Sequence, residues 1–81
     1  PVGALVARGQ VALGFQQLAE LIHVPGIRIV GPLPPAIAID TVFGAAVVQG
    51  TPNAGAARRV LAFMASPEAA DAKRRQGMAP I

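Results

Sequence analysis

The chain has 81 residues, of which 53% are hydrophobic and 14% charged, with a net charge of +3 and a mean hydropathy of +0.53. A small domain has much surface for its volume, so this composition predicts that another chain or absent sequence covers part of the apolar surface. The lack of cysteine excludes disulfides and thiol chemistry, and the glycines and prolines that interrupt each long apolar stretch argue against a membrane-spanning helix.

Short helices and strands are predicted to alternate in the first part of the chain. The apolar run 11–15 is typical of a strand buried on both faces, whereas residues 16–23 have a helical apolar period. In chain order the predicted elements are a helix at 2–7 stopped by Gly9, a strand at 11–15, a helix at 16–23, a turn at 24–26, a strand at 27–30, an extended connector at 31–35 and a long strand at 36–48.

Two consecutive helices are predicted in the last third. Thr51-Pro52 opens the first and Ser66-Pro67 opens the second, because Thr and Ser are good N-caps and proline fits the first helical position. Gly77 ends the second helix. The first helix carries an apolar stripe that is predicted to pack on sequence absent from this chain: Ala57, Val60, Leu61 and Met64, with Phe63 beside it.

Strands that alternate with helices at this spacing predict an α/β fold in which helical crossovers connect the strands of a sheet. Two domain-like parts follow from the order of elements. Residues 1–48 form an α/β segment that includes the long strand, and residues 49–81 form the helical pair.

The basic residues do not favour nucleic-acid binding. They cluster at Arg58-Arg59 and at Lys73-Arg74-Arg75, and the chain has three Phe but no Tyr or Trp for base stacking. Solvated helix faces and a favourable helix-dipole interaction at the C-terminal end of the last helix explain these clusters better.

An enzyme is not predicted. The four acids are scattered, Ser66 is better explained as a helix cap than as a nucleophile, and His23 is the one histidine. A single histidine without cysteine cannot anchor a metal cluster in this chain, so no metal and no cofactor are expected.

One position has the logic of a ligand site. The predicted strand ends at Phe15 and runs directly into Gln16 and Gln17 at the start of a helix. In open α/β sheets, ligands bind beyond the carboxyl ends of the strands, where helix N-termini and side-chain amides offer hydrogen bonds to an anion. Ordinary capping of the helix by the two glutamines is an equally good explanation.

Three stretches together resemble bacterial periplasmic solute-binding proteins, and are most similar to the molybdate-binding-protein-like branch of the type II fold. They are residues 8–17, RGQVALGFQQ; residues 24–34, from VPG to GPLP; and residues 57–78, which include FMASPEAA and GM. The likeness covers essentially the whole chain. It corresponds to only the C-terminal third of such a protein, so the chain is expected to be a fragment.

The resemblance implies a function as well as a fold. Such proteins close two α/β lobes on a ligand and deliver it to the permease of an ABC importer, so a periplasmic location and a small anionic ligand, either a molybdate-like oxyanion or an organic acid, are implied. Residues 1–48 would belong to the second lobe and the returning hinge strand, and residues 49–81 would pack on the missing first lobe. Phe15, Gln16 and Gln17 fall where the second lobe contacts ligand. Molybdate binders tend to have a tyrosine nearby, and this chain has none.

A second hypothesis comes from a different functional class. A small α/β module with exposed sheet edges would pair with a second copy of itself and need no ligand chemistry.

Overall fold

A computed structural model describes all residues 1–81. The structure is helical and has five elements in chain order: α1 at Val2–Ala7, α2 at Leu18–Leu21, α3 at Ala54–Ala65, a 3₁₀ turn at Pro67–Ala69 and α4 at Ala70–Arg75. None of the helices combines the length and the apolar character that crossing a membrane requires.

The predicted α/β fold is wrong, because the structure contains no β-strand. The segments 11–15, 27–30 and 36–48 have no ladder partner, and every backbone hydrogen bond outside the helices joins residues close in sequence. A strand needs a neighbouring strand to receive its N–H and C=O groups, and these 81 residues bring no two such segments together. The long segment also begins as a turn, since Ala38 N–H donates to the Pro34 carbonyl oxygen at 3.0 Å.

The chain is open rather than closely packed. Its radius of gyration is 16.6 Å, whereas a compact domain of this length has about 12 Å. Its accessible surface is 6778 Å², against about 4,500 Å² for a compact protein of this mass. Only Gly3 and Ala69 are buried. The apolar side chains are therefore mostly exposed within these 81 residues.

Two glycines end helices as predicted. Gly9 follows α1 with φ +73° and Gly77 follows α4 with φ +82°. At the second of these ends, Met78 N–H donates to the Lys73 carbonyl oxygen at 2.9 Å and Gly77 N–H donates to that of Arg74 at 3.0 Å. This pair of bonds is a Schellman motif, which satisfies carbonyl groups that the helix itself leaves free.

Gly77 also brings the end of α4 against the start of α2. A Cβ at this position would lie 3.0 Å from the backbone N of Ala19 and 3.1 Å from the carbonyl carbon of Leu18. Only a residue without a side chain allows the end of α4 to approach the first turn of α2 so closely. The last helix is thereby placed beside the segment that carries the predicted ligand residues.

Helix α1 packs closely on the segments before and after α2, because glycines leave room at the contacts. A Cβ at Gly3 would lie 3.1 Å from Val24, and a Cβ at Gly14 would overlap the side chain of Val2. Gly14 thus lets the segment that leads to Phe15 pass directly over α1.

Helix α3 begins later than the Thr51-Pro52 pattern predicts. Its N-cap is Asn53 and its first residue is Ala54. The Thr51 side chain accepts the N–H of Asn53 at 3.2 Å, so this hydroxyl closes a turn before the helix instead of capping its first turn. Half of the predicted apolar stripe remains uncovered: Val60 is 58% exposed and Met64 is 51% exposed.

Ser66 occupies the predicted N-cap position, with Pro67 as the first residue of the 3₁₀ turn. Its hydroxyl donates to the Phe63 carbonyl oxygen rather than to an N–H of the new helix. The same hydroxyl lies within reach of the Glu68 carboxylate and, together with the backbone N–H of Glu68, holds the pKa of that carboxyl below its ordinary value.

We expect Ser66→Ala to raise the pKa of Glu68 towards the ordinary value of a glutamate. A lowered pKa favours the folded state above the ordinary carboxyl pKa, and this contribution is lost as the pH falls through the lowered value. Carbon NMR of the Glu68 carboxyl against pH measures the change. Ser66→Thr keeps the hydroxyl and should keep the low value. An identical titration in the wild type and the alanine variant would show that the hydroxyl plays no part.

Candidate functional site

The three predicted ligand residues lie between α1 and α2 in non-helical backbone. The predicted helix at 16–23 is reduced to the single turn of α2, and Gln17 is its N-cap. A single turn has little macrodipole, so the predicted attraction of an anion to this helix end is weak. Hydrogen bonding at this position must come from side chains.

Gln16 is directed towards α1. Its Oε1 accepts the backbone N–H of Val2 at 3.2 Å. Val2 is the first residue of α1, whose N–H has no partner within the helix. Gln16 therefore caps the start of α1. The start of α2 has no side-chain cap hydrogen bond, so the glutamines do not cap their own helix as the second explanation of the sequence proposed. The amide N–H groups of Gln16 have no hydrogen-bond partner in the protein.

Gln17 is directed towards the predicted hinge segment. Its Nε2 donates to Oγ1 of Thr41 at 3.3 Å, across 24 positions of sequence. The other hydrogen bond between two side chains joins Arg74 and Asp71 within one helical turn. The bond between Gln17 and Thr41 is thus the one hydrogen bond between two side chains that joins distant parts of the chain.

Phe15 contributes an exposed apolar surface beside the two amides. It is 65% exposed, and Leu13 on the same segment is 63% exposed. An aromatic side chain in this position has no core to fill within these 81 residues. It is free to contact a ligand or another polypeptide.

An open cavity of about 480 Å³ lies at the start of α2. It is lined by Leu18 at the start of α2 and by residues from the end of α4 onward: Arg74, Gly77, Met78, Ala79 and Pro80. Arg74 is the one cation of this lining. One of its guanidinium nitrogens contacts the Asp71 carboxylate at 3.1 Å, and both side chains are largely exposed. Such an ion pair is worth little by itself and leaves further guanidinium N–H groups free.

A second cavity, of about 350 Å³, is apolar and lies between α3 and α4. Phe63, Met64, Ala69 and Met78 line it. Neither this cavity nor the first is lined by Phe15, Gln16 or Gln17. No group of three or more His, Asp or Glu side chains is arranged to hold a metal ion.

Sequence reasoning missed Thr41 as a partner of the predicted site. The residue was assigned only to a strand, since nothing in a single sequence indicates which distant side chain Gln17 contacts. One signal was present: Thr41 is a hydroxyl residue that directly precedes the apolar stretch 42–48.

Comparisons with known proteins connect this segment to a family. Residues 1–79 match the family described as bacterial extracellular solute-binding protein. The chain is also 47% identical, over all 81 residues, to a protein of Pseudomonas sp named aconitate isomerase. It spans 31% of the length of that relative. No solved structure matches the chain.

The name of this relative corrects one prediction. The sequence predicted that the chain is not part of an enzyme, whereas the relative bears the name of one. The prediction failed because it required the acids and bases of a catalytic site to be present in these 81 residues. A segment that spans a third of a relative need not contain them.

Proposed function

Because the chain belongs to the bacterial extracellular solute-binding proteins, we propose that it supplies part of the site at which such a protein captures a small organic anion. The observation that carries the proposal is the 47% identity, along the whole chain, to a protein named aconitate isomerase. Aconitate is a tricarboxylate. Between the two ligand classes that the sequence left open, this relative favours the organic acid over a molybdate-like oxyanion.

The polar groups at the candidate site suit an anion. Gln16 and Gln17 keep amide N–H groups that no protein acceptor uses. Neither of the two hydrogen bonds that they form involves an acidic side chain. Carboxylate oxygens accept hydrogen bonds from neutral donors of this kind. Phe15 would contact the carbon skeleton of the ligand.

The remainder of the proposal concerns the intact protein. Residues 1–48 would belong to one lobe, and residues 49–81 would pack on the other through the exposed stripe of α3. The ligand would bind between the lobes in the periplasm and be delivered to the permease of an ABC importer. The exposed apolar surface of the chain supports a covering lobe, or a second copy of the chain in its place.

A thermal-shift panel on the natural protein that contains these residues tests the ligand class. Aconitate at 100 times its dissociation constant should stabilise the folded state by about 2.7 kcal/mol. The trimethyl ester of aconitate, which has the same skeleton without charge, should not. A shift with molybdate or tungstate but not with aconitate would replace the organic acid by an oxyanion. If none of the anions raises the melting temperature, the proposal is contradicted.

Isomerisation of the bound anion is a second candidate function, which the name of the relative favours. Isomerising aconitate requires a group that removes a proton from the ligand and returns it. Proton NMR of cis-aconitate mixed with the natural protein would detect the trans isomer. Binding without conversion would leave solute capture as the function.

A further inference from the structure

Thr41 and Gln17 form a matched pair of polar groups at the candidate site. The Gln17 amide nitrogen has two hydrogens and donates one of them to Thr41 Oγ1 at 3.3 Å. The second hydrogen of the nitrogen has no acceptor in the protein, and neither has the hydroxyl hydrogen of Thr41. Two neighbouring side chains therefore each retain one donor.

We propose that Thr41 is a ligand-binding residue, which holds the Gln17 amide in place and donates its own hydroxyl hydrogen to the same carboxylate of the anion. The inference rests on the proposed function. It adds a residue that the sequence placed only in a connecting strand.

The direction of the hydrogen bond supports this role. A hydroxyl that accepts a hydrogen bond is polarised and becomes a better donor to an anion. The same bond fixes the amide of Gln17, which would otherwise rotate freely at an exposed position and lose entropy when a ligand binds. Neutral donors held in this way select for an acceptor with several lone pairs, as a carboxylate has.

The two glutamines consequently have different roles. Gln16 uses its amide oxygen to cap α1, and Gln17 faces Thr41. The two side chains are directed to different partners, Val2 and Thr41, so Gln16 does not join the pair of donors formed by Gln17 and Thr41. We assign recognition of the carboxylate mainly to Gln17 and Thr41.

Calorimetry of aconitate binding to the natural protein tests the pair with three variants. Thr41→Val keeps the shape and removes the hydroxyl, Thr41→Ser keeps the hydroxyl, and Thr51→Val is the control. Thr51 is the second threonine of the chain, and its hydroxyl serves only a local turn before α3. Loss of a hydrogen bond to a charged ligand should weaken binding about tenfold to a hundredfold in Thr41→Val. The serine variant and Thr51→Val should bind as the wild type does.

NMR of the natural protein without aconitate gives a readout that does not depend on the ligand. The Gln17 side-chain amide resonances should move in Thr41→Val and not in Thr51→Val. Wild-type affinity in Thr41→Val, or no recovery in Thr41→Ser, would overturn the inference while aconitate binding itself stands. If the wild-type protein binds no anion at all, both the inference and the proposed function are wrong.

Discussion

Gly77→Ala is expected to destabilise the natural protein that contains these residues by about 2–5 kcal/mol. Two costs combine at this position. The backbone has φ +82°, which costs an L-residue about 1–2 kcal/mol. The new methyl group would also lie 3.0 Å from the backbone N of Ala19, and a backbone atom cannot move aside as the end of a side chain can. The free energy of unfolding, from urea titration followed by far-UV circular dichroism, measures the sum.

Gly50→Ala is the matched control. Gly50 has the same φ of +82°, but a Cβ there would meet nothing within 4 Å. The control should therefore lose only the backbone part, about 1–2 kcal/mol. Amide resonances of Leu18 and Ala19 should move in the Gly77 variant alone. Equal destabilisation by the two substitutions would mean that the end of α4 does not pack on the start of α2.

Gly14→Ala is expected to destabilise the natural protein that contains these residues by about 1–3 kcal/mol, the range found when a packed site is overfilled. Its methyl group would overlap Val2 and lie 3.2 Å from the side chain of Val6, so α1 would have to move away from the segment that precedes Phe15. The hydrogen bond from Val2 N–H to Gln16 would lengthen with it. Urea titration measures the loss, and hydrogen exchange at Val2 reports the broken cap.

Gly44→Ala controls for the general effect of removing a glycine. A Cβ at Gly44 meets nothing within 4 Å, and its φ is not in the left-handed region. Replacing a glycine at such a position reduces the freedom of the unfolded chain and is neutral or slightly stabilising. If Gly14→Ala behaved in the same way, α1 would not be held by the contact that the structure places at Gly14.

Features set by neighbouring residues could be predicted from the sequence. The glycine stops at Gly9 and Gly77 and the existence of α3 and α4 depend on local rules of helix ending and apolar period. The exact start of α3 could not be predicted. The Thr51 hydroxyl can either cap a helix or close a turn before it, and the same Thr-Pro sequence allows both. The open apolar surface also followed from composition alone.

Features that depend on distant residues could not be predicted. The runs 11–15 and 27–30 have the composition of buried strands, but a strand exists only where a partner receives its hydrogen bonds, and no partner lies within these 81 residues. The candidate site shows the same limit. The sequence indicated Gln16 and Gln17 as amides at a strand-to-helix junction, and the structure separates them towards Val2 and Thr41.

NMR titration of the natural protein with aconitate, observing the side-chain amides of Gln16 and Gln17, tests whether this segment contacts the anion. The Gln17 amide resonances should shift and saturate at the dissociation constant that calorimetry gives, with smaller changes at Gln16. If aconitate binds by calorimetry and neither glutamine responds, the anion site lies elsewhere in the protein and this segment does not contribute to it.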